Sequence, residues 1–483
     1  MLFTEPTFLF FFLPLLLGGY VVAPNRLRNL LLAASSLVFY AWEYPPHLLL
    51  LLASIVVNYG LGLALATATE RRRGLILRLG IILNLGILGY FKYAGFLVEN
   101  LNTSLASVGI PEIGVPQVAL PLGISFFTFQ AMSYVVDVYR RETSAQRSLV
   151  DLTLYISLFP QLIAGPIVRY RQLCSQLAER CVSRRDFAIG LRRFTIGLGK
   201  KVLIANTVAE TADQVFALPV HELTPAVAWL GVACYTIQIY FDFSGYSDMA
   251  VGLGRMFGFR IPENFNFPYA ARSLTDFWRR WHMTLSRWFR DYLYIPLGGN
   301  RVRRSRTGLN LLIVFLLCGL WHGASWNFLV WGLFHGTLLT VERVMSKRIG
   351  NRAPAVLRHI YVLLMVMVGW VFFRCGSLGQ AVGFLGAMAG FDAGLGSWEN
   401  MADLFSNEVL LACAIGGLGS LPVVRRLRGV VVTLVRRGSQ RRHRAMALAA
   451  VHAAGDCWLL MVLILSVIWV SALTYTPFIY FRF

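Results

Sequence analysis

The chain has 483 residues, of which 57% are hydrophobic and 14% are charged. This composition excludes the ordinary water-soluble classes and is typical of a polytopic helical membrane protein. Lysine and arginine outnumber aspartate and glutamate by 45 to 24, but they lie in short clusters between apolar runs. Because such clusters are typical of cytoplasmic loops, we expect contact with membrane lipid and no nucleic-acid partner. The seven cysteines contain no C-x-x-C pair, so they indicate neither a zinc site nor a disulfide framework.

The first apolar run, 7–23, is followed by Arg26 and Arg28 and has no basic residue before it. This polarity is the reverse of a secretory signal peptide, so we expect an uncleaved span with its N-terminus outside. Three further apolar runs follow, and the basic cluster at 71–73 predicts that the loop before the last of them is cytoplasmic. These runs lie near 29–42, 47–68 and 75–98.

No basic residue lies between Lys92 and Arg140, which predicts an external loop before a span at about 118–139. The next segment, 151–168, contains Pro160 and a Gly-Pro pair, which favours a kinked or re-entrant segment. The strongly basic stretch 169–201 predicts amphipathic helices on the cytoplasmic surface of the bilayer.

Two carboxylates interrupt the apolar run 225–254, in the segment 240–249. Asp242 and Asp248 would each cost several kcal/mol if they were unpaired in a membrane, so partners must be close. Both are candidate substrate-binding residues. A structural ion pair with a basic residue is the competing interpretation.

The segment 277–290 has an aromatic face at helical spacing and predicts an interfacial helix. His282 lies on or near this face, and four arginines lie largely elsewhere. The aromatic face consists of Trp278, Trp281, Leu285, Trp288 and Phe289, and the arginines are Arg279, Arg280, Arg287 and Arg290.

His322 lies within 308–341, a run of 34 residues without Asp, Glu, Lys or Arg that has basic flanks on both sides. One straight helix of this length would measure roughly 50 Å, whereas a hydrocarbon core is about 30 Å thick. We therefore predict a hairpin with cytoplasmic ends, broken at His322-Gly323, whose tip lies inside the membrane. Ionisable groups at that depth usually have a function, although a core histidine bonded to a backbone carbonyl is the alternative.

Further spans are predicted near 202–217, 356–373, 408–424 and 457–476. The stretch 374–425 lacks lysine and arginine between its ends and is predicted to be external, whereas the arginine-rich stretch 425–444 is predicted to be cytoplasmic. We expect a single all-α membrane domain, 1–483, with roughly ten or more transmembrane helices plus re-entrant and interfacial helices.

Several motifs together resemble the membrane-bound O-acyltransferase family, and within it the bacterial branch that acetylates alginate. The resemblance covers essentially the whole chain. The motifs are 121–130, 241–248, 277–282, 291–300, 320–323 and 477–483.

The resemblance implies a ring of helices around a thinned centre with a funnel. It implies transfer of an acetyl group from a cytoplasmic thioester, acetyl-CoA, across the bacterial inner membrane for O-acetylation of an exported polysaccharide such as alginate or cellulose. An SGNH-type partner would complete the transfer, and no bound cofactor is expected. His322 would be the active-site histidine, His282 the second polar site residue, and Trp321 a substrate contact. Independently of the resemblance, the four arginines around His282 are candidate contacts for the phosphates of the donor, with anchoring at the membrane interface as the competing interpretation.

A neutral imidazole is the usual base for removing a proton from an attacking hydroxyl. A covalent route through Cys318 has less support, because a small core residue is the simpler interpretation. A zinc site is disfavoured, since no H-E-x-x-H motif is present. Two alternatives stay open: transfer of D-alanyl or another acyl group from a carrier protein, and a transporter of a polysaccharide or lipid precursor.

Overall fold

The computed structural model describes residues 1–42, 44–116, 118–349, 353–391, 402–437 and 441–472. Throughout these ranges the regular secondary structure is helical, without a β-strand. A chain in a membrane must satisfy its backbone N–H and C=O groups internally, which a helix does. The all-α fold class predicted from the sequence is confirmed.

The N-terminal part of the chain starts with a π-helical turn, Phe8–Phe12. Its longest helix, α4, has 37 residues and measures roughly 55 Å, more than a hydrocarbon core. The basic cluster 71–73 lies in the first turn of α4, so the predicted orientation puts its far end at the external surface. The helices are α1 Leu13–Val22, α2 Asn25–Ala41, α3 Pro46–Thr67, α4 Glu70–Ala106, α5 Ile124–Tyr139, α6 Leu149–Ser157, α7 Phe159–Leu162, α8 Tyr170–Ala178 and α9 Arg184–Gly199.

The central part is organised around α11, a 32-residue helix that is largely buried. It packs closely on α9, because a Cβ atom on Gly197 would lie only 2.5 Å from the carbonyl oxygen of Gly245. The elements are the π-helical Lys200–Ala205, α10 Asn206–Ala217, the 3₁₀ turn Val220–Glu222, α11 Pro225–Met256, the 3₁₀ turn Pro268–Ala270, α12 Leu274–Trp278, α13 Met283–Phe289 and the π-helical Arg290–Tyr294.

The C-terminal part begins with the predicted hairpin. The motif 477–483 lies outside the described residues, as do 392–401 of the predicted external loop and 438–440 of the predicted cytoplasmic loop. The elements are α14 Arg304–His322, α15 Trp326–Ile349, α16 Ala355–Arg374, α17 Leu378–Ala389, the 3₁₀ turn Ala402–Phe405, α18 Asn407–Gly419, α19 Val423–Arg437 and α20 Arg441–Ala472.

Among the described residues, six helices are long and apolar enough to cross a membrane. They are α3, α4, α11, α14, α16 and the Met446–Ala472 part of α20. The bent pair α18–α19 adds a seventh if it is one span. The predicted count of ten or more is not confirmed, because several apolar runs form helices shorter than the roughly 20 residues that a span needs. Thus α1 has 10 residues, and α5 has 16 residues that are almost all buried.

The hairpin consists of α14 and α15, and His322 is the last residue of its first leg. The chain then runs through an extended Gly323 and begins α15 at Trp326. The two legs are in close contact, because a Cβ atom on Gly319 would overlap the carbonyl oxygen of Phe328. This close packing holds the end of the first leg against the second.

The predicted interfacial helix 277–290 is wrong as a single element. The structure has two short helices, α12 and α13, separated at His282, whose φ of 41° is left-handed. The aromatic face does not lie on lipid alone, since Trp281 and Trp288 are buried within the protein. Trp288 stacks on Phe129 with ring centroids 3.7 Å apart.

We expect Gly319→Ala to destabilise the hairpin by about 1–3 kcal/mol, because the added methyl group would push the legs apart. Thermal unfolding of the detergent-purified protein measures this. Gly86→Ala is the control, since no atom lies within 4 Å of a Cβ atom added there on the exposed face of α4. Equal stability of the two variants would contradict close packing of the legs.

Candidate active site

The end of α14 is held by hydrogen bonds from α4. The Lys92 Nζ atom donates to the carbonyl oxygens of Trp321 at 2.6 Å and His322 at 2.9 Å. The Tyr93 hydroxyl donates to the carbonyl oxygen of Leu320 at 2.6 Å. The last carbonyls of a helix have no partner within the helix, so α4 supplies the donors that this buried end requires. The His322 ring is buried, and its Nδ1 has no partner among the described residues.

His282 is oriented by Asn264. The Oδ1 atom of Asn264 accepts from the backbone N–H of Thr284 at 3.2 Å and lies 3.1 Å from Nδ1 of His282. Because a backbone N–H can only donate, this geometry assigns the acceptor to Asn264 and the proton to Nδ1 of His282. In the neutral ring, Nε2 then has the lone pair. That atom is buried without a partner in the described part of the chain.

The backbone at the His282 break is also satisfied by the segment around Asn264. The N–H of Met283 donates to the Asn264 carbonyl at 2.9 Å, and the N–H of Asn266 donates to the Arg280 carbonyl at 3.0 Å. These bonds replace those that a continuous helix would make, which explains why the predicted single helix is interrupted here.

Trp321 brings the two histidines together. The centroid of its ring lies 4.9 Å from that of His322 and 6.1 Å from that of His282. Other aromatic rings enclose the pair, including Phe243 at 4.7 Å from His282 and Trp331 at 5.3 Å from His322. The fold therefore collects three predicted site residues that are up to 40 positions apart in the sequence.

A cavity of about 130 Å³ lies beside His322. The cavity is lined by Lys92, the segment 120–126, Ile163, Trp321 and His322. Neither His282 nor Cys318 lines it. The segment 120–126 lies at the C-terminal end of the loop that the charge distribution predicts to be external. The cavity beside His322 therefore lies at the end of the loop predicted to be external.

The family model for membrane-bound O-acyltransferases matches residues 118–378, more than half of the chain, including His282, Trp321 and His322. The chain belongs to the membrane-bound O-acyltransferase family. It is therefore a multi-pass membrane acyltransferase, as the motifs predicted.

Three relatives show where this acyltransferase lies within the family. It is 42% identical to the probable alginate O-acetylase AlgI of Azotobacter vinelandii over 100% of both chains. It is 46% identical to the probable alginate O-acetylase AlgI of Pseudomonas aeruginosa over 85% of this chain and 79% of that protein. It is 39% identical to the peptidoglycan O-acetyltransferase of Helicobacter pylori over 81% of this chain and 80% of that protein.

Two predicted substrate-binding carboxylates form ion pairs with the protein. Asp242 lies 2.9 Å from Lys201, and both side chains are buried. Asp248 lies 2.7 Å from Arg193 and 2.7 Å from Lys200. Neither aspartate lines the cavity. The geometry thus favours the structural ion pairs considered from the sequence, which join α11 to α9 and to the π-helical turn after it.

The four predicted phosphate contacts of the acyltransferase separate into two kinds. Arg280 pairs with Asp276 at 2.8 Å, and Arg290 pairs with Asp291 at 2.7 Å. Arg279 is exposed and Arg287 is half-buried, and neither forms an ion pair with a described residue. An anionic donor would find Arg279 and Arg287 without a carboxylate partner, whereas Arg280 and Arg290 already pair with carboxylates.

Asp291 is the centre of a charge cluster beside the site. Arg169 and Arg171 of the α8 region both pair with it, as does Arg290. Burial opposes ionisation of this carboxyl, but the hydrogen bond and charge of Arg290 and the charges of Arg169 and Arg171 outweigh it. They hold the pKa of Asp291 below its usual range. The stability that the cluster contributes is therefore present above the unfolded pKa and is lost as pH falls through the folded one.

Sequence reasoning missed Lys92 and the orienting role of Asn264. Lys92 could have been selected, because it is the one lysine in the apolar run 75–98. An ionisable residue inside such a run usually has a function, as argued for His322. Asn264 had no such signal, since asparagine is common in loops and the contact with His282 spans 18 positions.

We expect Asp291→Asn to lower the free energy of unfolding by about 3 kcal/mol near neutral pH, because it leaves the nearly buried guanidinium group of Arg169 without a carboxylate. The difference from the parent protein should shrink below about pH 4, where Asp291 itself becomes protonated in the unfolded chain. Thermal unfolding of detergent-purified protein across pH 3–7 gives this profile.

Glu70→Gln is the matched control for this measurement. Glu70 pairs with Arg141 where both side chains are about three-quarters exposed, so its loss should cost less than about 1 kcal/mol. An Asp291→Asn variant as stable as the Glu70→Gln variant would show that the cluster contributes little.

Proposed function

We propose that this acyltransferase takes an acetyl group from acetyl-CoA at the cytoplasmic face of the bacterial inner membrane and delivers it to a hydroxyl acceptor on the outer side, for O-acetylation of an exported polysaccharide. The meeting of two buried histidines at Trp321 is the observation on which the proposal depends. His282 lies in the segment that contains Arg279 and Arg287. His322 lines the cavity on the predicted external side.

On the donor side, Arg279 and Arg287 bind the phosphates of acetyl-CoA. They lie three and five positions from His282 and have no carboxylate partner among the described residues. Guanidinium groups bind phosphate with charge-assisted hydrogen bonds. The Nε2 lone pair of His282 accepts a hydrogen bond from an amide N–H of the pantetheine arm, which orients the thioester toward Trp321. The Trp321 ring lines the path of the acyl group from the His282 side to the His322 side.

On the acceptor side, His322 is the general base. An acceptor hydroxyl in the cavity attacks the thioester carbonyl carbon while the His322 imidazole takes the hydroxyl proton. The tetrahedral intermediate then collapses, the carbon–sulfur bond breaks, and the proton is returned to the departing thiolate. The aromatic rings around both histidines keep water away from the thioester, so hydrolysis does not compete.

The acceptor we propose is alginate, with cellulose and peptidoglycan as other members of the same class of exported polymer. Two relatives of 42% and 46% identity are probable alginate O-acetylases, whereas the peptidoglycan O-acetyltransferase is 39% identical. An SGNH-type partner on the outer side supplies the hydroxyl that attacks the thioester, and it then transfers its acetyl group to a hydroxyl of the sugar, the final acceptor. Transfer of D-alanyl from a carrier protein is the second candidate, since the 130 Å³ cavity does not exclude a slightly larger acyl group.

We expect His322→Ala to reduce acetyl transfer by at least about 10²-fold, as expected for loss of a general base. His282→Ala should reduce it less, because the donor arm is misoriented but the base remains. The measurement is transfer of labelled acetyl groups from acetyl-CoA to polymer by proteoliposomes that contain the acyltransferase and its partner. With D-alanyl carrier thioester as the donor, the same assay distinguishes the second candidate.

His335→Ala is the matched control. His335 is also buried, at 1% exposure, and packs on Trp278 and Trp331, but it does not line the cavity. The folded control should transfer acetyl groups near the parent rate. If His322→Ala does so as well, the assignment of the base is wrong.

We expect Arg279→Gln with Arg287→Gln to raise the apparent KM for acetyl-CoA about tenfold or more with a smaller change in kcat, because the two lost phosphate contacts together remove uniform binding of at least about 1.5 kcal/mol. The paired residues provide the control: Arg280→Gln with Arg290→Gln should change KM by less than about threefold, because their guanidinium groups already bond to carboxylates. Equal KM shifts in the two double variants would contradict the sorting of the four arginines.

A further inference from the structure

Lys92 differs from Lys200 and Lys201 in the partners of its ammonium group. Lys200 and Lys201 each pair with an aspartate of α11, at 2.7 Å and 2.9 Å. Lys92 forms no ion pair with a described residue, although it lies in the apolar part of a spanning helix. A charge in such a place without a counter-charge is costly, so the interactions that replace it indicate its role.

All three N–H groups of the Lys92 ammonium have acceptors close to the site. Two donate to the carbonyl oxygens of Trp321 and His322, and the third acceptor is the hydroxyl oxygen of Ser125 at 3.3 Å. An ammonium has three donors, so none is left for a substrate atom. The two carbonyls belong to the C-terminal end of α14, whose partial negative charge a cation stabilises.

The contacts of Lys92 therefore join three elements around the cavity. Its own helix, α4, is linked to the end of the hairpin leg and to Ser125 at the start of α5. Lys92, Ser125 and His322 all line the same cavity. A shift of the α14 end would move the imidazole of His322 with it, because His322 is the last residue of that helix.

We propose that Lys92 is the positioning residue that holds the His322 imidazole at the cavity, by hydrogen bonds to the two backbone carbonyls that end α14. The inference rests on the proposed function of His322 as the base. Lys92 acts through the backbone and does not touch the reacting atoms. Its loss should therefore reduce the rate of the chemical step and leave donor binding, which takes place around His282, unchanged.

Tyr93 provides a matched comparison. It follows Lys92 on the same helix and donates to the carbonyl of Leu320, one residue earlier in α14. Tyr93 does not line the cavity, and its bond ends two residues before His322. A purely structural role of these contacts would make the two residues equivalent, whereas a positioning role singles out Lys92.

The experiment compares Lys92→Met, Lys92→Arg and Tyr93→Phe with the parent protein and His322→Ala in the acetyl-transfer assay. Lys92→Met should lower kcat about 10- to 100-fold, the usual effect of losing a group that orients a site residue, with KM for acetyl-CoA within about twofold. Lys92→Arg keeps a cation and donors and should recover most of the rate. Tyr93→Phe should lower kcat by less than about threefold.

Each outcome decides between defined alternatives. Lys92→Met at the parent rate, or a loss equal to that of Tyr93→Phe, overturns the inference. A change confined to KM also overturns it, because Lys92 would then contact the donor. Should Lys92→Met not fold, as judged by thermal unfolding in detergent, the comparison of Lys92→Gln with Lys92→Arg provides the same test, and equal rates refute positioning by the cation. Retained activity in His322→Ala would instead show that the proposed function has failed.

Discussion

Backbone groups at an interrupted helix must find partners when no water is close, and both histidines of the site lie at such interruptions. His322 ends α14, where donors from α4 satisfy the free carbonyls. His282 lies between α12 and α13, where the segment around Asn264 supplies a donor and an acceptor. The groups that repair the backbone are therefore the groups that orient the imidazoles. The same segments therefore satisfy the interrupted backbone and position the two histidines of the site.

Some charged groups of the acyltransferase pair with a group of opposite charge, and others do not. Carboxylates deep in the helical bundle, Asp242 and Asp248, are matched by lysines and an arginine from a neighbouring element. Lys92 donates to the His322 carbonyl, and Arg279 and Arg287 lie three and five positions from His282; none of the three has a carboxylate partner among the described residues. Positive charge near the histidines suits the polyanionic donor proposed above and a reaction in which negative charge develops on oxygen.

Sequence periodicity and charge predicted the helical class and the interruption after His322, because a charge-free run of 34 residues is too long for one span. They also selected His322 as a candidate site residue, whereas His282 was selected through the resemblance to the family. They did not predict the break at His282, since the aromatic residues keep helical spacing on both sides of it and the cause lies in Asn264, 18 positions away. The predicted number of spans is not confirmed for a related reason: apolar runs such as α5 are buried within the protein. Lys92 was overlooked because a single lysine was interpreted only as a topology marker.

The contact of Trp321 with both histidines bears on proton leakage across the membrane. A passage that brings an acyl group across an energised membrane must not also conduct protons, and two imidazoles in series are suitable proton carriers. The indole of Trp321 lies against both rings, and its N–H donates to the backbone carbonyl of Ser125 at 3.4 Å. An indole N–H has no acceptor lone pair, so it cannot relay a proton from one histidine to the other. The Trp321 ring therefore interrupts a direct proton path between the two imidazoles, as the proposed passage of an acyl group requires.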